Sequence, residues 1–188
     1  MAQLIQSPAK IYTVEEFWDY VHLPENAGRR LELVNGEIVA KEESTQLTSV
    51  IAGRIAYFLN HFIIPGDIGY VTGPYAYYRL SDKDFITPDV AFIFKEKLSS
   101  LDNDFFPVAP NIAIEIIKEN TKAEALQRKM QAYAASNVQV WEVYPSLRSV
   151  NIMYYPLRSG KSLGEENLLD CGDVLPEFRL KVSDIFPK

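Results

Sequence analysis

Cysteine is almost missing from these 188 residues: Cys171 stands alone, so no disulfide can form within the chain and no cysteine-based zinc site can be built. Histidine is nearly as scarce, with only His22 and His61. A Ser-His-Asp or Cys-His mechanism would have to use one of these two. Each ends an amphipathic segment, where a histidine interacts well with the helix dipole. The uninterrupted apolar runs fall well short of the ~20 residues that a membrane span needs, and no membrane partner is expected. The first ten residues lack the basic stretch and apolar run of a signal peptide, so the expected location is cytoplasmic. Basic residues are outnumbered, 19 Lys and Arg against 25 Asp and Glu, a net charge of −6. That balance excludes a generally basic nucleic-acid coat protein, although an enzyme with a local basic groove stays open.

What is present is an ordinary globular composition, 47% apolar and 23% charged, in a length that suits one domain over residues 1–188. Residues 1–10 are expected to be a loosely ordered N-terminal segment. Thr13-Val-Glu-Glu16 reads as a capping box opening a short helix through Tyr20. Two alternating runs, 30–34 and 37–41, flank Asn35-Gly36, a strong hairpin signal. Helical spacing runs from Thr45 to Phe62 and again from Lys122 to Ala135. Strands are expected at 68–71, 75–80, 90–94, 112–117, 138–144 and 150–155, with another at 176–180 and a terminal turn at 183–186. The fold class is therefore α/β or α+β, with an N-terminal helix and β-hairpin and a central mixed sheet flanked by helices.

The chemistry-bearing residues lie in two of these strands. Asp89 follows Pro88 and begins the apolar run to Phe94. Glu115 sits among Ile112, Ile114, Ile116 and Ile117. A carboxylate inside such a strand costs several kcal/mol unless it has a partner, a metal or water. Two carboxylates on neighbouring strands are a common start for a divalent-cation site, in which Mg²⁺ takes few carboxylates plus waters and phosphate oxygens. Spacing alone equally allows Glu115 a structural Lys or Arg partner and Asp89 the role of a turn residue. Lys129 and Tyr133 stand four apart on one helix face. By spacing alone Lys129 is an ordinary solvated lysine; if the helix packs back on the sheet, it reaches the carboxylates.

The order Arg30-Leu-Glu32-Leu-Val-Asn-Gly36-Glu37, Pro88-Asp89-Val90, Ile114-Glu115-Ile-Ile, Leu126-Gln-Arg-Lys129-Met-Gln-Ala-Tyr133 and Val138-Gln-Val-Trp141 resembles the Uma-type family of restriction endonuclease-like proteins, common in cyanobacteria. Leu175-Pro-Glu-Phe-Arg-Leu and Ser183-Asp-Ile-Phe186 resemble that family's ending, so the likeness runs from about residue 11 to 187. The resemblance implies the PD-(D/E)XK nuclease fold and a two-acid metal site. Asp89 and Glu115 would be metal ligands, with the Ile116 carbonyl a third, and Glu32 a further acid of the site. The lysine that usually stands two residues after the Glu is replaced by Ile117, which moves the basic role to Lys129. Many relatives have Ser-Pro after the Glu strand, where this chain has Lys118-Glu119, and a His near the start of the long helix, where it has Thr48.

The resemblance thus implies an Mg²⁺- or Mn²⁺-dependent endonuclease that hydrolyses DNA phosphodiester bonds. Glu32, Asp89, Glu115 and Lys129 would be catalytic, and Lys118 and Tyr133 would contact substrate. The alternative is an inactive nuclease-fold module that binds nucleic acid or a protein partner without cutting, which the departures at Lys118-Glu119 and Thr48 motivate. Tyr-rich strands at 70–80 and 150–155 make a homodimer the expected assembly. The charge is also uneven. Residues 118–129 carry four basic and two acidic side chains, whereas 162–188 carry three basic and six acidic.

Overall fold

A computed structural model describes residues 10–155 and 159–188. Of the N-terminal segment 1–10, only Lys10 falls within the described residues. The chain runs through α1 (Val14–Val21), β1 (Leu31–Val34), β2 (Glu37–Ala40), α2 (Gln46–Ile63), β3 (Gly69–Thr72), β4 (Tyr78–Ser81), β5 (Asp84–Ile86), β6 (Val90–Phe94), β7 (Ile112–Ile116), α3 (Ala123–Ala135), β8 (Gln139–Tyr144), β9 (Ser149–Tyr154), β10 (Ser159–Leu163), β11 (Leu168–Asp170), β12 (Arg179–Lys181) and α4 (Val182–Ile185).

The central sheet has six strands in the order β10-β9-β8-β7-β6-β3. It is mixed: β7 and β8 are parallel, joined by α3, and their other neighbours are antiparallel. A second, antiparallel sheet has the order β2-β1-β5-β4, and β11 pairs with β12. The expected mixed sheet flanked by helices is therefore present.

Alternation along the strands sorts side chains between two cores. Ile112, Ile114 and Ile116 of β7 join Ile51, Ile55, Leu59 and Ile63 of α2, together with the C-terminal segment from Leu169 to Phe186, in the larger core. Ala113 of β7 packs on the other face with Ala132 and Tyr133 of α3 and Val34 of β1. Glu115 shares the parity of Ala113, so it belongs to the α3 face. Within Gln46–Gly66 an 18-residue stretch has a mean hydropathy of 1.4, long and apolar enough for a span by composition. The uninterrupted runs fall short of that because the apolar residues are interspersed, and the Ile51–Ile63 row is built into the core.

Turn chemistry fixes the hairpin. Asn35 and Gly36 take φ values of 54° and 77°, the left-handed pair that a two-residue turn between right-twisted strands requires. The Thr13–Glu16 capping box forms in full. Several short elements differ from expectation. The strand expected from Tyr75 begins at Tyr78, and the polar stretch Ser81–Asp84 is the turn of a β4–β5 hairpin. The strand expected at 176–180 is the three-residue β12, while β10 and β11 carry no alternation that marks them in the sequence.

Candidate active site

The register of the central sheet brings the two strand acids together. Val90 pairs with Ile114 in the antiparallel β6–β7 ladder, so Asp89, one residue before β6, stands opposite Glu115. The Asp89 N–H donates to the Ile114 carbonyl at 3.0 Å, and the Ile116 N–H donates to Asp89 Oδ2 at 2.9 Å. The β1–β2 hairpin supplies the third acid. Glu32 pairs with Val39, and alternation places Glu37, Val39 and Lys41 on the face of Glu32. From α3, Lys129 and Tyr133 project four residues apart onto the same spot.

The contacts are dense. Lys129 Nζ lies 2.9 and 3.0 Å from the two Glu32 oxygens and 2.8 Å from Glu115 Oε1. The Tyr133 hydroxyl donates to Glu115 Oε1 at 2.6 Å. Glu32 Oε1 also accepts from the Thr87 N–H at 2.8 Å and the Thr87 hydroxyl at 2.9 Å. Lys41 Nζ lies 3.0 Å from Asp89 Oδ1, 3.7 Å from Glu115 Oε2 and 3.9 Å from Glu32 Oε1, and donates to the Thr87 carbonyl. Asp89, Glu32, Lys41 and Lys129 line a cleft of about 360 Å³ whose wall also includes Thr48, Ile116, Lys118, Lys122 and Arg128.

Glu32, Asp89, Glu115 and Lys129 thus come together, with the Ile116 backbone beside them. Lys118 stands apart on the cleft wall, paired with Glu42 at 3.1 Å and donating to the Glu43 carbonyl at 2.6 Å. Tyr133 differs from expectation. It is fully buried and does not line the cleft, because its ring belongs to the α3–sheet core, so it touches Glu115 instead of a molecule in the cleft. Thr48 is engaged at the start of α2, in a reciprocal capping box with Thr45.

A family model described as "Putative restriction endonuclease", Uma2, matches residues 17–183. The chain belongs to the Uma2 family. It is also similar, at 19% identity, to a crystal structure described as a putative nuclease belonging to DUF820 from Anabaena variabilis ATCC 29413. That likeness covers 93% of this chain and 97% of the other with a TM-score of 0.79, and it shows the shared fold. A comparison with curated proteins returns no match.

The Uma2 cluster holds three carboxylates against two ammonium groups in a buried space, and its ionisation follows from that imbalance. Burial works against ionised Glu32, but Lys129 and Lys41 outweigh it and hold the carboxyl below its ordinary value. Burial likewise opposes ionised Asp89, and Lys41 with the Ile116 N–H more than compensates. For Glu115, burial together with repulsion from Asp89 and Glu32 wins over both lysines, and its value is raised. Burial disfavours charged Lys129, yet Glu115 and Glu32 keep it protonated far above neutrality.

An all-carboxylate donor set is chemically suited to Mg²⁺ or Mn²⁺. Asp89 Oδ1 and Glu115 Oε2 both face one point already held by a cation, the Lys41 ammonium. The carboxylates therefore fit a divalent cation in kind, and the Lys41 ammonium stands between two of them. Among the described residues, no His, Cys, Asp and Glu side chains form a group of three or more arranged to hold a metal ion, and Glu32, Asp89 and Glu115 are not such a group as they stand. Lys41 and Thr87 are the members of the cluster that sequence reasoning missed. The signal for Lys41 is the hairpin alternation, which puts it on the face of Glu32. Thr87 carries none, because a lone threonine before Pro88 does not show that its N–H, hydroxyl and carbonyl all meet the cluster.

Proposed function

We propose that this Uma2 protein is a divalent-cation-dependent endonuclease that hydrolyses DNA phosphodiester bonds. One observation carries the reading: Glu32, Asp89 and Lys129 line a cleft with Lys118, Lys122 and Arg128 on its wall, and Glu115 is buried just behind them, in contact with Lys129. In this reading Asp89 and Glu115, with the Ile116 carbonyl, would hold Mg²⁺ or Mn²⁺, which supplies Lewis-acid polarisation of a phosphate oxygen and a water of lowered pKa. The chain's own residues do the rest. Lys129 fixes Glu32 and Glu115 and sets positive charge beside the place where phosphate charge develops. The Tyr133 hydroxyl holds Glu115 in orientation. Lys118 on the wall offers a phosphate contact, and exclusion of water from this buried corner strengthens each interaction. The reading includes a cytoplasmic location and a homodimer, which would present two clefts to two strands.

The test is incubation of double- and single-stranded DNA with Mg²⁺ or Mn²⁺, using the native chain and the Asp89→Ala and Glu115→Ala variants, with folding checked by circular dichroism. The expected result is cutting by the native chain and a loss of at least about 100-fold in each variant, in line with removal of an essential electrostatic group. Activity that survives both substitutions overturns the assignment. A second reading, a nuclease-fold module that binds DNA or a protein without cutting, is favoured by one observation. Five of the six carboxylate oxygens in the cluster already have a close protein donor. Retained DNA binding without cleavage in Mn²⁺ would select it.

A further inference from the structure

We infer that Lys41 is a tethered cation that holds the place of the divalent ion between Asp89 and Glu115, so that metal enters only as Lys41 withdraws. The inference rests on the metal-site reading above and adds a regulation of that site. Its ammonium faces carboxylates from three different elements, at 3.0, 3.7 and 3.9 Å, and its side chain is only 8% exposed. Lys129 does not share this position: its close contacts are to Glu32 and to Glu115 Oε1, on the α3 side of the cluster. Asp89 Oδ1 and Glu115 Oε2, the two oxygens turned away from Lys129, have Lys41 as their cation.

Charge makes the two occupants exclusive. Three carboxylates and two ammonium groups leave the cluster one negative charge. A dication added beside both lysines would give an excess positive charge, at close range and away from bulk water. A dication in place of Lys41 leaves the cluster neutral. The geometry also gives Lys41 a way out. It lies one residue past β2, an edge strand of its sheet, at the start of the segment leading to α2, and its side chain lines the cleft. Apart from the carboxylates, its hydrogen-bond partner is the Thr87 carbonyl.

The experiment is calorimetric titration of the full chain with Mn²⁺, for the native protein and for Lys41→Met, Lys41→Gln and Lys41→Met/Asp89→Asn. It is paired with thermal unfolding in EDTA and in Mn²⁺. Lys41→Met and Lys41→Gln are expected to bind Mn²⁺ at least about tenfold more tightly than the native chain, and the double variant to lose that gain. In EDTA the single variants should unfold at lower temperature than the native chain, because a buried carboxylate has lost its cation. Mn²⁺ should raise their Tm by more than it raises the native Tm. If Lys41→Met fails to fold, Lys41→Gln, which keeps a donor for the Thr87 carbonyl, carries the test. Equal or weaker Mn²⁺ affinity in the variants overturns the inference and leaves the nuclease reading standing. No Mn²⁺ binding by native chain or variants overturns both.

Discussion

Glu115 shows what one residue in this cluster has to satisfy. It sits in a strand otherwise made of Ile and Ala, and its carboxylate survives burial through Lys129 at 2.8 Å and the Tyr133 hydroxyl at 2.6 Å. Removing the hydroxyl by Tyr133→Phe leaves one acceptor short, and is expected to cost about 1–3 kcal/mol in urea unfolding. Lys129→Met leaves both Glu32 and Glu115 without their nearest cation and should cost more, about 3–5 kcal/mol. The order of the two losses is the check: an equal or reversed order would mean that Lys129 does not hold the cluster together. Ionisation gives a second prediction. On acidification Glu115 takes its proton first, above the ordinary glutamate value, while Glu32 and Asp89 protonate below theirs. The sign for stability follows. Glu32 and Asp89 favour the fold above the ordinary carboxylate range and lose that contribution as pH falls through their depressed values. Ionised Glu115 works against the fold as pH rises through its raised value. Carboxyl-carbon NMR titration of the three side chains reads the order directly. Glu115 was legible in the sequence because a charge in an Ile run demands explanation, and Asp89 because it begins an apolar strand beside it, whereas Glu32 entered through the family likeness alone. Lys129 was legible only through the family likeness, since its helix spacing alone fits a solvated lysine. Tyr133 was placed at the right spot with the wrong neighbour, because spacing along α3 fixes a shared face and not the depth of each side chain.

At the scale of elements, the long helix and the edge strand each rest on one local feature. α2 begins with the reciprocal Thr45–Thr48 box. Thr45→Ala removes the side-chain acceptor for the Thr48 N–H and is expected to lower stability by about 1 kcal/mol, read from the denaturant midpoint at unchanged slope. β3 closes one edge of the central sheet, and Gly69 lies at its start. A Cβ there would fall 2.3 Å from the Ile93 carbonyl oxygen and 2.6 Å from the Phe92 ring. Gly69→Ala must therefore shift backbone in β6, the strand that follows Asp89, and hydrogen exchange at the β3–β6 amides should rise. Elements with long periodic patterns, α1, α2, α3 and β6 to β9, were legible in the sequence. β5, with three residues, is too short to show alternation, though Phe85 and Ile86 are fully buried. β10 is polar and exposed along four of its five residues, and is defined by its ladder with β9. Pairing partners far away in sequence make such strands, and no local signal records them.

Across the whole molecule, a net charge of −6 and a proposed polyanionic substrate pull in opposite directions, and the cleft decides how strongly. Of its wall cations, Lys118 is paired with Glu42, and Arg128 with Glu37 at 2.5 Å and Glu124 at 2.8 Å. Each must exchange a protein carboxylate for a phosphate, so the gain per contact is smaller than for a free cation. The acidic remainder of the surface adds long-range repulsion that salt screens. DNA binding is therefore expected to be weak and carried by few phosphate contacts. With about three contacts, log Kobs should fall against log salt with a slope of about −2.7, and Lys122→Ala should make it shallower by about 0.9. The Glu42→Gln change, which releases Lys118, should strengthen binding, an effect opposite to that of removing a lysine. Fluorescence anisotropy of a labelled duplex across a salt series, with Mn²⁺ held constant, measures all three. A slope near zero, or a Lys122→Ala slope equal to the native one, would mean that the cleft is not where the phosphate backbone lies.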